Sequence, residues 1–277
     1  MAAMLDDRDG LAARILATAA AGATMAPITG ARADFDLDAA LDVAARVARL
    51  REARGERQVG WKIGFTNRTI WDEYGVHAPI WGPMYDSTLV AIPDASMPFA
   101  WSLGKLVQPR IEPEIIFRLG EAPSPSMDER ALLGAVDGVA HGYEIVQSIY
   151  PDWIFRAPDT VAAFGLHGTY RHGPFTRLDA ATRGDWFEAL RRFEIVLSRA
   201  GDEIDRGQAV NVLDGPLSAL RHFVRGLETD PLGRRLKAGD LVTTGTVTRA
   251  FPVAPGERWS TRVEGLPLSG LTVDFLA

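Results

Sequence analysis

Three short stretches of the 277-residue chain hold side chains whose types and spacing can do chemistry. In Arg110-Ile-Glu112-Pro-Glu114-Ile-Ile-Phe, an extended backbone turns Glu112 and Glu114 to one face and Ile111, Ile115 and Phe117 to the other. That alternation describes a half-buried strand with a wet outer face, or a pair of oxygen ligands for a hard cation. In Gly142-Tyr-Glu-Ile-Val-Gln-Ser-Ile, Glu144 is a lone acid in an apolar run. Burying it is costly unless a base such as arginine, a hydrogen-bond donor or a metal ion meets it. Glu144 brought beside Glu112 and Glu114 is a different matter. Three negative charges in one site repel, and a divalent cation is the natural means of keeping all three ionised. Three carboxylates leave about three positions of an octahedral Mg²⁺ or Mn²⁺ shell for water or substrate. The third stretch is Val59-Gly-Trp-Lys-Ile-Gly-Phe, where Lys62 shares its strand face with Gly60 and Gly64. Backbone or ligand can therefore approach closely. Lys62 is either a solvated strand lysine or, desolvated beside a metal, an amine of depressed pKa able to move protons.

Absences narrow the choice. The chain has no P-loop, no G-x-G-x-x-G behind a strand, no G-x-S-x-G and no H-E-x-x-H, which speaks against nucleotide enzymes, serine hydrolases and zincins. The five histidines (His77, His141, His167, His172, His222) lack helical ligand spacing, and without cysteine there is no disulfide, thiolate nucleophile or thiolate metal site. Thirty-six acidic against thirty basic residues give a net charge of −6, where a nucleic-acid binder needs a basic face. A chain 47% hydrophobic and 24% charged is of the folded globular kind. No apolar run approaches the ~20 residues of a membrane span. The Ala-rich stretch Leu11–Met25 is interrupted by Arg14 and does not read as a signal peptide. The expectation is a cytoplasmic protein with no nucleic-acid or membrane partner.

The elements that must position these side chains are α+β. Leu5–Ala23 is helix-permissive. Asp36 is placed to cap a second helix carrying Leu37, Leu41, Ala44 and Ala48, with Gly55 where such a helix ends. Two such helices cannot cover their own apolar faces and must lean on the remainder of the chain. From Val59 the hydrophobic period changes to two, and strands are expected at Val59–Phe65, Ile111–Leu119 and Tyr143–Ser148. A hairpin carrying Phe193, Ile195 and Leu197 turns at Gly201-Asp202, and strands at Leu241–Thr248, Arg258–Val263 and Leu271–Phe275 end the chain. One helix interrupts them, with Asp214 as its cap, Pro216 in its first turn and a stripe of Leu217, Leu220, Val224 and Leu227. Arg234, Arg235 and Lys237 read as a solvated loop.

Taken in order, five segments resemble the hydratase/decarboxylase branch of the fumarylacetoacetate hydrolase superfamily. They are Gly60-Trp-Lys-Ile-Gly-Phe-Thr, Gln108-Pro-Arg-Ile-Glu-Pro-Glu-Ile, Tyr143-Glu-Ile-Val-Gln-Ser, Asp159-Thr-Val-Ala and Lys237-Ala-Gly-Asp-Leu-Val-Thr-Thr-Gly-Thr. The likeness runs from about residue 10 to the end, and its specificity lies in the order and spacing of the segments. It implies a mixed β-sandwich roll like the family's C-terminal domain over residues 83–277, and a small helical part with the first strand over residues 1–82. It implies homo-oligomers, some complexed with another enzyme of the pathway. It also implies Mg²⁺ or Mn²⁺ on Glu112, Glu114 and Glu144, Lys62 as the catalytic lysine, and 2-oxo or 2-hydroxy-dienoic acids from aromatic meta-cleavage as substrates. The cation would hold negative charge on the C2 oxygen while Lys62 moves a proton to or from the conjugated chain. Water addition then gives a 4-hydroxy-2-oxo acid, and loss of CO₂ from the far end of a vinylogous 2-oxo acid draws on the same charge stabilisation.

Two departures from the hydratase pattern bear on which outcome prevails. In Ala78-Pro-Ile-Trp-Gly82, Ile80 stands where many hydratases carry an acid. After Asp159-Thr-Val-Ala, the polar residues common in the family give way to Ala163-Phe-Gly-Leu-His-Gly168. Ile80 and Phe164 would line the substrate pocket without activating water. His167 is either a replacement catalytic group or a structural imidazole. Thr246, Ser148 and Asp159 are candidates for holding substrate. The reading is a metal-dependent lyase hydrating a 2-hydroxy-2,4-dienoate. Its rivals are a 4-oxalocrotonate-type decarboxylase, a 1,3-diketone C–C hydrolase disfavoured for want of a His–Glu pair, and a non-catalytic partner subunit.

Overall fold

A computed structural model describes residues 7–230 and 232–277. Its first helices are α1 (Arg8–Ala21), α2 (Ile28–Ala31) and α3 (Leu37–Ala53). The expected helical start at Leu5 lies outside the described residues. Asp36 caps α3 as its position predicts, its carboxylate accepting the Ala39 N–H. Leu11, Ile15 and Leu16 of α1 and Val43 and Val47 of α3 pack with Ile149, Tyr150, Phe155, Phe164 and Leu166. The helices thus find the cover they lack in a segment far along the chain.

The strands are β1 (Gln58–Gly64), β2 (Ile80–Tyr85), β3 (Leu89–Ala91), β4 (Phe99–Ser102), β5 (Arg110–Leu119), β6 (Val136–Val146) and β7 (His167–His172). They continue with β8 (Thr176–Arg177), β9 (Glu194–Arg199), β10 (Asp202–Gln208), β11 (Leu241–Thr246), β12 (Phe251–Pro252), β13 (Arg258–Glu264) and β14 (Thr272–Leu276). Between them lie α4 (Trp71–Tyr74), α5 (Glu129–Ala135), α6 (Ala157–Ala162), α7 (Arg183–Ala189) and α8 (Pro216–Gly226). One sheet runs β2-β1-β11-β5-β6-β7-β3, with β12 beside β5 and β8 beside β6; the other runs β10-β9-β13-β14-β4. Most neighbours are antiparallel, while β1–β11, β3–β7 and β4–β14 are parallel. This is the mixed roll with a helical N-terminal part that the family resemblance implies.

The β5–β6 pair forms its spine. Their register sets Glu112 directly across from Glu144. Ile115 and Phe117 face a core shared with Leu217, Leu220 and Phe223 of α8, and Ile111 joins Trp259, Val273 and Phe275 of the second sheet. The opposite face of β5 is not wet. Ile116 packs with Met84 of β2, Ala140 of β6 and Tyr170 of β7, so strands from distant parts of the larger sheet meet and the sheet curls around that face. A half-exposed strand and one inside a roll share the same alternation, which is why the pattern alone could not separate them.

Other differences have local causes. β6 reaches back to Val136, seven residues before the expected start. Helices α5, α6 and α7, of six or seven residues, are too short to show a helical stripe and were not expected. Asp214 does not cap α8. It sits at φ 73° and takes two hydrogen bonds from Arg68, at 2.8 and 3.0 Å, and Gly215 occupies the cap position. The stripe Leu217, Leu220, Val224, Leu227 is buried as expected. Arg234 is half-buried, bonded to Asp230 at 2.7 and 3.0 Å with its guanidinium 5.1 Å from the Trp61 ring. Among the described residues, no helix is long and apolar enough to cross a membrane.

Candidate metal centre

Glu112 and Glu144 face each other across β5 and β6, and Glu114 follows two residues along on the same face. One oxygen from each lies within 4.8 Å of the others. Glu114 and Glu144 are fully buried, and Glu112 opens partly to a hollow. Glu114 Oε2 accepts the Gly245 N–H at 3.1 Å. Glycine is required at 245, where φ is +92° and a Cβ would stand 1.9 Å from Thr66 Oγ1. Glu144 Oε1 accepts from His167 Nδ1 at 2.8 Å, while its Oε2 lies 3.4 Å from Lys62 Nζ, an ionic contact outside hydrogen-bond geometry. Glu114 Oε1 and Glu144 Oε2 are buried without a hydrogen-bond donor. Such orphaned oxygens are costly, and a cation between them would satisfy both.

Charge points the same way. Three carboxylates against one ammonium leave two net negative charges in a buried cluster, which a divalent ion balances. Without it, burial pushes Glu112 up to about 7, with Glu144 repelling as well. Burial, then repulsion from Glu144 and Glu112, drives Glu114 well above the carboxylate range. Burial would raise Glu144 too, but Lys62 beside it and the His167 hydrogen bond outweigh that and hold it below its ordinary value. Burial works to lower Lys62; attraction to Glu144, Glu112 and Glu114 overcomes it and the pKa rises. The depressed pKa expected of Lys62 is that of a lysine beside a bound metal; without an ion, three carboxylates favour its ammonium form. Its Nζ donates to the Gly165 carbonyl at 2.9 Å, and a Cβ on Gly64 would stand 2.9 Å from that same Nζ. The glycine face foreseen around Lys62 leaves room for the lysine's own side chain.

Lys62, Glu112 and Thr246 open onto one hollow, lined also by Phe65, Thr66, Asn67, Ile70, Val146, Trp153 and Leu166. The Thr246 hydroxyl donates to the Thr248 carbonyl at 3.0 Å and keeps its oxygen as an acceptor. Other expected site residues stand elsewhere. Ile80 lines an apolar cleft with Leu37, Leu41 and Trp81. Phe164 and His167 line a third hollow with Arg51, Arg54 and Lys105. His167 thus touches the centre only through Glu144, and its Nε2 lies 2.9 Å from Thr88 Oγ1. The Ser148 hydroxyl donates to the Tyr150 carbonyl and accepts the Tyr150 N–H. Asp159 is buried and accepts from the N–H and hydroxyl of Thr29 and the N–H of Arg156, tying α2 to α6.

The site also holds what sequence reading missed. Gly245 contributes a backbone N–H, and Asn67, its Oδ1 anchored by the N–H and hydroxyl of Thr69, contributes its side-chain amide. No spacing announced either. A buried His–Glu pair does exist, contrary to expectation. Antiparallel β6 and β7 bring His167 and Glu144 together from 23 residues apart. The pair does not face the Lys62 hollow, so it gives the hydrolase rival no water-activating base there.

Known proteins resemble this chain along nearly its whole length. It is 30% identical over 248 residues to a 2-hydroxyhexa-2,4-dienoate hydratase of Comamonas testosteroni, covering 88% of each chain. It is also 30% identical over 241 residues to a 4-oxalocrotonate decarboxylase of Pseudomonas sp. (strain CF600), covering 86% of each. The solved 4-oxalocrotonate decarboxylase of Pseudomonas putida G7, complexed with magnesium and adipate, superimposes with a TM-score of 0.86 over 98% of both chains at 26% identity. No family model matches the chain.

Proposed function

The chain belongs to the hydratase/decarboxylase branch of the fumarylacetoacetate hydrolase superfamily, a group of lyases, and we propose that it hydrates a 2-hydroxy-2,4-dienoate to a 4-hydroxy-2-oxo acid. The cofactor in this reading is Mg²⁺ or Mn²⁺ on Glu112, Glu114 and Glu144. Their oxygen-only donor set suits a hard divalent ion, and the orphaned oxygens and excess negative charge support it. When bound, that ion supplies Lewis-acid stabilisation of negative charge on the substrate's C2 oxygen.

The observation that carries the choice of substrate is the lining of the Lys62 hollow. Phe65, Ile70, Val146, Trp153 and Leu166 wall it, and Lys62 is its one cationic side chain among the described residues. Such a space suits a short uncharged tail better than a second carboxylate. Lys62, held as an ammonium, gives its proton to the conjugated chain. Thr66, Asn67 and Thr246 offer hydroxyl and amide groups to hold the water that adds. His167 acts as a positioning residue, its Nδ1 fixing the orientation of Glu144.

A decarboxylase reading has its own support in the similarity to 4-oxalocrotonate decarboxylases in sequence and structure. Homo-oligomerisation, association with another enzyme and a cytoplasmic location remain part of the reading, on family likeness alone. The test is direct. Purified protein with Mg²⁺ should remove the absorbance of 2-hydroxypenta-2,4-dienoate without releasing CO₂. CO₂ evolved from 2-oxohex-3-enedioate, with the dienoate untouched, would establish the decarboxylase. Inertness towards both, with tight binding to another chain, would point to the partner-subunit role.

A further inference from the structure

Glu112 stands at a divide. On one side is the Lys62 hollow; on the other is a second, lined by Arg110, Tyr74, Glu73, Thr248 and Arg249. Glu112, Thr246, Asn67 and Ile70 line both. Arg110 precedes Glu112 by two residues on β5 and therefore projects from the same face. It is half-buried, with its guanidinium 4.2 Å from the Trp153 ring and its Nη1 donating to the Tyr74 hydroxyl at 3.3 Å. Among the described residues no carboxylate lies within ion-pair distance of it, although its charge draws on Glu112. Arg249, at the exposed rim, lies 3.8 Å from Glu73. Of the two arginines in this compartment, Arg249 is matched by Glu73, and Arg110 is the better-held cation with donors to spare.

Building on the reading above, we propose that Arg110 receives the C1 carboxylate of the substrate and thereby sets its direction, acid end over Arg110 and hydrocarbon end beside Lys62. A planar guanidinium braced by two aromatic side chains matches a carboxylate edge. Two residues of strand separate it from Glu112 by about 6.6 Å along the backbone, within reach of an acid whose C2 oxygen lies over the carboxylate cluster. The reverse direction would bury a carboxylate among Phe65, Val146 and Leu166 and set the carbons to be protonated beside arginines, away from Lys62. The orientation therefore follows from matching charge to charge and apolar to apolar.

The test uses binding of unreactive saturated acids to the Mg²⁺-loaded protein by titration calorimetry. The probes are 2-oxopentanoate, with one carboxylate, and 2-oxoadipate, with two. Arg110→Gln should weaken both by a similar factor, roughly 10- to 100-fold for loss of a charge-assisted pair. Mg²⁺ affinity measured without oxo acid should not fall, and Arg110→Lys should recover part of the binding. Equal affinity of wild type and Arg110→Gln for both acids would overturn the assignment. So would a loss confined to 2-oxoadipate, which would make Arg110 the receptor of the far carboxylate. Retained Mg²⁺ binding and an unchanged melting temperature show the variant to be folded. Arg110-dependent binding of both acids by a protein that fails to consume the dienoate would refute the hydration reading and leave this one standing.

Discussion

Two clusters in this molecule set three carboxylates around a central cation, the exposed one with Arg262 also paired to Glu264. On the smaller sheet Arg206 meets Glu194, Glu203 and Glu264, each at 3.1 Å, on strands open to water. Inside the larger sheet Lys62 meets Glu112, Glu114 and Glu144. Water solvates the first group, and hydrogen bonds from Arg206 and Gln208 draw Glu194 below its ordinary pKa. Burial drives Glu112 and Glu114 above theirs. Like side chains shift in opposite directions because one cluster is solvated and the other is buried. An exposed surplus of negative charge is screened, whereas a buried one calls for an ion.

Removing one buried ligand should break the contrast most completely. Glu114→Gln is expected to abolish divalent-metal binding and bring turnover to background while the fold persists, checked by calorimetry and circular dichroism. Full metal-dependent activity in that variant would falsify the ligand set. Lys62→Ala should bind the metal still but turn over roughly 100- to 10,000-fold more slowly, the usual span for losing a general acid. Steady-state rates at saturating Mg²⁺ measure it.

A pH series sharpens the comparison. In metal-free protein burial pushes Glu112 up to about 7, and Glu114 well above the ordinary carboxylate range. The unfolded chain therefore loses these protons first as pH rises, and stability should fall from about pH 4.5 through 7 and beyond. Thermal melts in EDTA should show that decline, and saturating Mg²⁺ should remove it. The smallest effect belongs to the exposed cluster. Arg206→Met should leave Mg²⁺ affinity and turnover at wild-type values and barely move the melting temperature.

Much of this was legible beforehand. The Asp36 cap, the α8 stripe and the facing of Glu112 with Glu114 are local consequences of backbone period and capping chemistry, so they can be read along the chain. Lys62 beside its glycines was legible for the same reason. The burial of that face was not, because it depends on Met84 and Tyr170 arriving from other strands of the roll. The His167–Glu144 pair depends on β6–β7 register, and the Gly245 N–H on an irregularity within β11 whose positive φ no neighbour in sequence announces. Ser148 and Asp159 looked available as polar residues in matching segments, yet their hydrogen bonds serve the backbone around them.

The amino-acid order by itself determined which side chains exist to do chemistry and which of them share a strand face, since both follow from composition and a two-residue repeat. Tertiary structure alone decided that three acids from two strands are taken out of water together. It also decided that Lys62 lies among them, and that Arg110 looks into the far side of the same cleft. Those are facts of dielectric and distance, and they come into being only when the sheet curls.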